Sequence, residues 1–311
     1  LIAGVSVIFN VLAFAFIFSS ESKIPKNSSS LPSQYSFLSP RIFTQNQNDR
    51  LVNFVPLRQS LNEYYEKSDK DFGFYFEYLP SGVSIGVNDK ESFILASLLK
   101  VPLVMGVYKQ IEEGKINKDD ILTIQEEHLD PLFGDLWKKG VGTQLSLLDA
   151  IIYTLINSDN TSMSVLFSAV PEETLEDVFD ALDIPKELTG LNPVVTPKNY
   201  SSILRSLYLS SYLTENDSNE ILYFLALTPF NDKLAAGIPP SVKVTHKIGV
   251  HAGDVKGKEV FTDCGIVYVP KRPYVLCIMA NENEETSRTI MKELSSMVYN
   301  FVSSVNYEKN N

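Results

Sequence analysis

Ser97 and Lys100 are the first pair of residues whose types and spacing could carry out a reaction. Because they are three positions apart, a helix would place the hydroxyl and the amine on the same face. A serine is a weak nucleophile until a base takes its proton, and a partly desolvated lysine can be that base. The spacing alone is weak evidence, since the same S-x-x-K pattern recurs at residues 20–23 in a segment with the composition of a linker.

Two further short motifs contain polar residues for which plain structural explanations also exist. Ser158, Asp159 and Asn160 follow an apolar segment, and taken alone they predict a turn that caps the next helix. Lys247 and Gly249 lie in the apolar run 242–250, where a lysine could simply discourage edge-to-edge aggregation of a strand. A glycine beside a half-buried lysine would instead permit the close approach of a ligand.

Taken together and in this order, the three motifs resemble the signature of class A β-lactamases and penicillin-binding proteins, S-x-x-K, S-D-N and K-T-G. Ser97 and Ser158 are 61 positions apart, close to the spacing of that family. The resemblance covers roughly residues 49–302. It extends to the stretches around the motifs, which are 96–102, 156–161, 235–239 and 262–270.

The resemblance implies a role for each residue of the motifs. Ser97 would attack a carbonyl and form an acyl-enzyme, with Lys100 as its general base. Burial and the cation of Lys247 would keep Lys100 neutral. Ser158 would pass a proton to the leaving nitrogen, and Asn160 would hold the amide of the acyl side chain.

The resemblance also implies roles for the residues of the third motif and a class of binding partner. Lys247 would attract the substrate carboxylate and orient Ser158, with Gly249 next along the strand. The backbone N–H groups of Ser97 and Val250 would form an oxyanion hole. The implied partner is a β-lactam or a peptidoglycan stem peptide.

Two positions depart from the family pattern. Ile248 replaces the Thr or Ser of the third motif, so a hydroxyl for the substrate carboxylate is missing and affinity for ordinary penicillins would fall. His251 could compensate in part, although a surface-loop histidine is the plainer interpretation. Class A β-lactamases also use a loop glutamate to activate the deacylating water, but only 37 positions separate Asn160 from Pro197 here. The candidate in that short loop, Glu187, is more simply interpreted as a solvated charge.

Three functions therefore stay open. We favour a D,D-peptidase-like, penicillin-binding enzyme with slow deacylation, because the shortened loop lacks the family's glutamate. The second is a β-lactamase that deacylates through Glu187 or another route. The third is a catalytically silent cell-wall-binding module, which the departure at Ile248 favours and the five intact motif residues oppose.

The composition argues against several other classes. The chain has 311 residues, of which 44% are hydrophobic and 21% charged, an ordinary globular balance. A net charge of -11 argues against nucleic acid and anionic membrane surfaces as partners. The three histidines and two cysteines lack zinc-ligand spacing, so we expect neither a metal nor another cofactor. We expect a monomer.

The N-terminal region has the composition of an export segment followed by a linker. Residues 1–18 carry no charge and are near the lower length limit for crossing a bilayer. They predict an uncleaved membrane anchor, with the h-region of a signal peptide as the alternative. Because the first residue is Leu, we expect the true start upstream. Residues 19–48 predict a flexible linker. Both interpretations place the rest outside the cytoplasm, with membrane contact through this segment only.

Hydrophobic periodicity predicts strands at both ends of the remaining chain and helices in its middle. The strands are expected at 72–78, 82–87, 242–250, 260–269 and 274–280, and the clearest helices at 51–65, 97–113, 145–156, 163–182, 200–209 and 285–302. This order predicts an α+β domain at 49–311, with an α/β part at 49–100 and 235–311 and a helical part at 101–234. The resemblance implies the same fold, an antiparallel sheet flanked by helices with an all-helical subdomain.

Cys264 and Cys277 lie in the last two predicted strands. If a hairpin turns at residues 270–273, the two cysteines are nearly opposite each other and a cross-strand disulfide can form. Two buried free thiols are the favoured interpretation.

Overall fold

Continuous apolar runs in the central strands and apolar stripes on the helices build the fold around one main sheet. The computed structural model describes residues 52–189, 192–253 and 258–304, which belong to one unit by their contacts. The predicted anchor at 1–18 and the predicted linker at 19–48 lie outside these residues.

The described residues contain ten strands, which are Phe72–Tyr78 (β1), Val83–Val87 (β2), Phe93–Ile94 (β3), Ile121–Thr123 (β4), Gln144–Ser146 (β5), Glu187–Thr189 (β6), Asn192–Val195 (β7), Val244–His251 (β8), Val260–Val267 (β9) and Tyr274–Ala280 (β10). The same residues contain eight α-helices, which are Val55–Ser68 (α1), Lys100–Glu112 (α2), Leu147–Ile156 (α3), Asn160–Ala169 (α4), Thr174–Ala181 (α5), Pro197–Leu209 (α6), Glu215–Ala226 (α7) and Glu284–Ser304 (α8).

Five of the strands form one antiparallel sheet in the order β2-β1-β10-β9-β8. Strands from the two ends of the domain pair at its centre, where Phe72 of β1 lies opposite Ala280 of β10. Strand β8, which carries the third motif, is at the edge, with Lys247 opposite Cys264 of β9. The predicted α+β architecture, an antiparallel sheet flanked by helices, is confirmed.

Each face of this sheet packs against its own layer of helices. Because side chains alternate along a strand, Val275, Cys277 and Met279 of β10 enter the core formed with helices α2 to α7. Leu276 and Ile278 enter the opposite core, formed with α1 and α8. The domain therefore has three layers, with the sheet between helices on both sides.

Most of the predicted elements are confirmed, and the differences have local causes. The predicted helix 163–182 is interrupted, because the backbone becomes extended at Val170, immediately before Pro171. Helix α7 was not predicted; Thr214 caps its start by accepting a hydrogen bond from Asp217 N. The first helix begins at Val55 and not at the predicted residue 51, and Val55 itself is 56% exposed.

The two cysteines form a disulfide, so the expectation of free thiols is wrong. The predicted register is confirmed, since Cys264 of β9 lies directly opposite Cys277 of β10. Both side chains point into the same core, where their Cα atoms are 4.0 Å apart. Residues in direct register on one face of an antiparallel pair are close enough to be bridged.

Helices within the described ranges are either too short or too polar to cross a membrane. The division of the domain into an α/β part at 49–100 and 235–311 and a helical part at 101–234 stays a prediction.

Candidate active site

Ser97 lies in a tight turn that runs directly into an α-helix. Residues Ala96–Leu99 form a 3₁₀ turn, and α2 continues from it at Lys100. Ala96 has a φ of 46°, a left-handed conformation that costs about 1–2 kcal/mol for a residue with a side chain. The hydroxyl of Tyr200 in α6 donates a hydrogen bond to Leu98 O at 3.1 Å. The turn is therefore held in its strained form by the helix beneath it.

Gly249 allows strand β8 to lie directly against this turn. A Cβ atom added at Gly249 would be 2.4 Å from Thr262 Oγ1, 3.1 Å from Leu95 O and 3.2 Å from Ala96 Cβ. The sequence suggested that a glycine here would let a ligand approach closely. The atoms that lie close to Gly249 belong to the protein itself, and β8 therefore lies beside the residues that precede Ser97.

Ser158 reaches the same point from the turn between α3 and α4. Its φ of 56° is again left-handed. The next residue, Asp159, caps α4 by accepting from Ser162 N at 2.8 Å and also accepts from Leu136 N at 2.8 Å. The S-D-N motif therefore does contain the helix cap expected from sequence, and the same turn directs Ser158 toward Lys100.

Lys100 Nζ is the centre of a hydrogen-bonded cluster. It lies 3.1 Å from Ser97 Oγ, 3.3 Å from Ser158 Oγ and 2.7 Å from Asn160 Oδ1. It also donates to the backbone oxygen of Ser158 at 2.5 Å. Ser97 is partly exposed, whereas Lys100 is 0% exposed. The candidate nucleophile thus faces solvent while its candidate base does not.

Lys247 completes the cluster from the edge strand. Its Nζ donates to Ser158 Oγ at 2.6 Å and to Ile248 O at 3.2 Å. The hydroxyl of Ser158 therefore lies between two amines, those of Lys100 and Lys247. The structure brings together all five motif residues named from sequence.

Burial changes the proton affinity of both amines, because a buried ammonium loses its hydration. It lowers the pKa of Lys100 to about 7, against the opposing pull of the carboxylates of Asp159 and Asp130. Burial also lowers the pKa of Lys247 well below its usual range, the charge of Lys100 lowers it further, and Asp263 raises it. Two ammonium groups beside one hydroxyl would repel each other, so charging one of the two amines disfavours charging the other.

Asp130 also belongs to the cluster, although the sequence did not indicate it. Asn160 Nδ2 donates to Asp130 Oδ2 at 3.1 Å, on the side of the amide away from Lys100. Asp130 Oδ1 accepts from Leu132 N at 2.7 Å. Asp130 lies in a loop outside the three motifs, and no spacing or composition around it distinguishes it from a solvated acid.

Two phenylalanines that the sequence did not indicate line the same region. The ring centroid of Phe133 is 6.0 Å from Lys100 Nζ, and it is 5.5 Å from the ring centroid of Phe230. The loop of Phe133 is pressed against the motif turn, since a Cβ atom at Gly134 would be 2.1 Å from Asp159 Oδ2. An apolar wall therefore lies beside the polar cluster.

Other residues named from sequence lie outside the hydrogen-bonded cluster. Glu187 is exposed on β6, the outer strand of the sheet β3-β7-β6, and accepts from Ser92 Oγ at 3.1 Å. Ile248 is buried and, by strand alternation, faces away from Lys247. Val250 is 41% exposed, and His251 ends β8 with its Nδ1 atom 2.6 Å from Gly253 O. The roles suggested for these four residues stay predictions.

The described residues contain no group of three or more His, Cys, Asp or Glu side chains that could hold a metal ion.

This combination of fold and cluster defines a class, the serine β-lactamase and transpeptidase-like hydrolases. The model of the Beta-lactamase enzyme family matches residues 56–302, and the chain belongs to that family. Extended-spectrum β-lactamase PER-1 of Pseudomonas aeruginosa is 25% identical over 239 residues, which cover 69% of this chain and 77% of PER-1.

Solved structures of similar proteins show the same fold. A structure of PBP-A has a TM-score of 0.74 at 21% identity and covers 82% of this chain and 99% of PBP-A. A mutant of PBP-A, solved as an acyl-enzyme complex with penicillin G, has a TM-score of 0.73 at 22% identity and covers 80% of this chain and 97% of that one. The chain is thus a serine hydrolase by family, with the cluster around Lys100 as its candidate active site.

Proposed function

We propose that this chain is a penicillin-recognising enzyme of the D,D-peptidase-like kind, which is acylated at Ser97 and deacylates slowly. The observation that carries the proposal is the cluster in which Lys100 contacts both Ser97 Oγ and Ser158 Oγ while Lys247 donates to Ser158. The penicillin acyl-enzyme of the PBP-A mutant, a structure with the same fold, supports a β-lactam as one ligand.

Acylation follows from the proton donors and acceptors of the cluster. A neutral Lys100 takes the proton of Ser97 Oγ, which lies 3.1 Å away, and the oxygen attacks the carbonyl carbon. As the carbon–nitrogen bond breaks, Ser158 Oγ gives its proton to the leaving nitrogen. Ser158 regains a proton from Lys100, 3.3 Å away, so the base returns to its neutral form with no net gain or loss of protons.

Lys247 would make the site prefer substrates that carry a carboxylate on the leaving side. Its amine is buried, so its ammonium form is disfavoured while the site is empty of ligand. A substrate carboxylate beside Lys247 would favour the ammonium form, because an opposite charge replaces the lost hydration. Binding of a carboxylate and charging of Lys247 are therefore coupled, as expected for a β-lactam or for the C-terminal carboxylate of a stem peptide.

Slow deacylation is the part of the proposal that separates it from β-lactamase activity. An acyl-enzyme lasts when no base activates water beside it, and Glu187 is hydrogen-bonded to Ser92 on an exposed outer strand. The second candidate is a β-lactamase, which the family description and the similarity to PER-1 favour.

We also propose that the enzyme acts outside the cytoplasm, as the N-terminal apolar segment suggests. The buried disulfide between Cys264 and Cys277 supports this location, because disulfides persist in oxidising compartments. A peptidoglycan stem peptide would then be the natural acyl donor.

The lifetime of the acyl-enzyme tests the proposal. The purified 311-residue chain is mixed with benzylpenicillin, and its intact mass is followed in time together with the hydrolysed antibiotic. We expect a stoichiometric adduct that persists for hours with little hydrolysis. Rapid loss of the adduct with accumulating penicilloate would establish the β-lactamase instead. In that event Glu187→Gln would reveal whether Glu187 is its deacylating base.

A further inference from the structure

The two ends of the active-site cluster carry chemically opposite groups. A series of hydrogen bonds links Lys247 to Ser158, Ser158 to Lys100, and Lys100 to Asn160. It ends at the carboxylate of Asp130, which accepts from Asn160 Nδ2 at 3.1 Å. An amine therefore stands at one end of the series and a carboxylate at the other.

Asp130 is held firmly but is not enclosed. Its Oδ1 accepts from Leu132 N at 2.7 Å, and its backbone N–H donates to Thr161 Oγ1 at 3.0 Å. Its side chain is partly exposed, unlike that of Asp159, which is 0% exposed and whose two oxygens accept from backbone N–H groups. Asp130 and Asp159 are the two carboxylates that stabilise the charged form of Lys100, and Asp130 is thus the one that a ligand can reach.

The position of Asp130 relative to a ligand follows from the amide of Asn160. An amide nitrogen carries two N–H groups, and one of them is used by Asp130. The other is free to donate to a ligand carbonyl, which would then lie roughly 5 Å from Asp130 Oδ2, because both acceptors surround one nitrogen at hydrogen-bond distance. A substituent on the carbon next to that carbonyl would lie beside the carboxylate.

We propose that Asp130 is a specificity-determining residue that selects acyl donors with a protonated amine on the carbon next to the acyl-side amide carbonyl. The preferred substrate then carries a carboxylate on its leaving side, at Lys247, and an ammonium on its acyl side, at Asp130. Phe133 and Phe230 add an apolar wall on which a ring or an aliphatic chain next to the ammonium can pack. This inference rests on the acylation of Ser97 proposed above.

Three penicillins that differ at one carbon test the inference. Benzylpenicillin has two hydrogens on that carbon, ampicillin has one ammonium, and carbenicillin has one carboxylate. Acylation rate constants are measured by intact mass at pH 7 and low ionic strength. We expect ampicillin to react faster than benzylpenicillin and benzylpenicillin faster than carbenicillin, by roughly three- to tenfold at each step, as for a partly exposed charge pair.

Asp130→Asn is the decisive variant, since it removes the charge and keeps an oxygen for Asn160. A change in the basicity of Lys100 would alter all three rates alike, so the ampicillin to carbenicillin ratio isolates the effect on selectivity. We expect that ratio to fall to near one in Asp130→Asn and to stay unchanged in the control Asp135→Asn, whose exposed carboxylate pairs with Lys138 in the same loop. In the unmodified protein, 1 M salt should also compress the ratio, which is a test that needs no variant.

The outcomes separate this inference from the proposed function. Labelling by all three penicillins with a ratio near one, or a ratio that survives in Asp130→Asn, overturns the role of Asp130 and leaves the acylation of Ser97 intact. A ratio that does not respond to salt likewise overturns it. Failure of all three to label the protein overturns the proposed function, and the inference with it.

Discussion

Lys247 Nζ lies 2.6 Å from Ser158 Oγ, although the two residues come from an edge strand and from a turn between helices. The same hydroxyl is 3.3 Å from the amine of Lys100. One small side chain thus connects the base beside the nucleophile to the cation expected to bind a carboxylate. This connection lets the arrival of an anionic substrate change the charge around Lys100.

The pH dependence of acylation should report the lowered pKa of Lys100. The neutral amine of Lys100 is the reactive form, so the rate constant should fall about tenfold per pH unit below about pH 7. An ordinary lysine would place this fall near pH 10.5. The measurement is the second-order acylation rate constant with benzylpenicillin between pH 5 and 9.

Lys100→Met provides the control for that profile. It should slow acylation by about 10²- to 10⁴-fold, the usual contribution of a general base. The inflection near pH 7 should vanish with it. An inflection that remains in Lys100→Met would belong to another group and would contradict the assignment of the base.

Gly249→Ala should damage both stability and acylation. The added methyl would be within 3.2 Å of Leu95 O and Ala96 Cβ, in a place where the backbone on both sides is fixed. Overpacking of this kind costs about 1–3 kcal/mol and should push β8 away from the turn of Ser97. Thermal unfolding and the acylation rate are the measurements.

Gly253→Ala is a matched control, because among the described residues beyond its chain neighbours the added Cβ would meet Lys258 O alone, at 3.8 Å. We expect it to unfold and to react like the unmodified protein. If the melting temperature and the acylation rate are unchanged in Gly249→Ala, β8 and the turn of Ser97 are less closely packed than described.

The central strands could be predicted because they are short apolar runs, as expected for a sheet covered on both faces, and the helices because their apolar residues recur at helical spacing. The active site could be predicted only through the resemblance, since Ser97, Ser158 and Lys247 are far apart in sequence and no spacing shows that they meet. Asp130 and Phe230 could not be predicted at all. Their importance comes from contacts with Asn160 and Phe133 that the tertiary fold creates.

The disulfide is another feature that depends on the tertiary fold and could not be predicted from the sequence. A hairpin turn at residues 270–273 was sufficient to place Cys264 opposite Cys277, but the bond between them depends on how closely the two strands approach in that register. Composition could not supply this distance, and the prevalence of buried free thiols favoured the wrong alternative.

The disulfide should contribute to stability without taking part in the reaction. It joins residues 13 positions apart, and closing a loop of that size stabilises a fold by about 3 kcal/mol. The double variant Cys264→Ala, Cys277→Ala should therefore unfold at a lower temperature than the oxidised protein. Acylation at 25 °C should stay within a fewfold, and equal melting temperatures would contradict a bond in the folded protein.

Covalent labelling of Ser97 by benzylpenicillin, followed by peptide mapping, tests the assignment of the nucleophile most directly. We expect one adduct, located on Ser97, which is lost in Ser97→Ala while the melting temperature is kept. We also expect Ser20→Ala, which alters the other S-x-x-K sequence in this chain, to label normally. An adduct that survives in Ser97→Ala, or that maps to another residue, would contradict the assignment of the nucleophile.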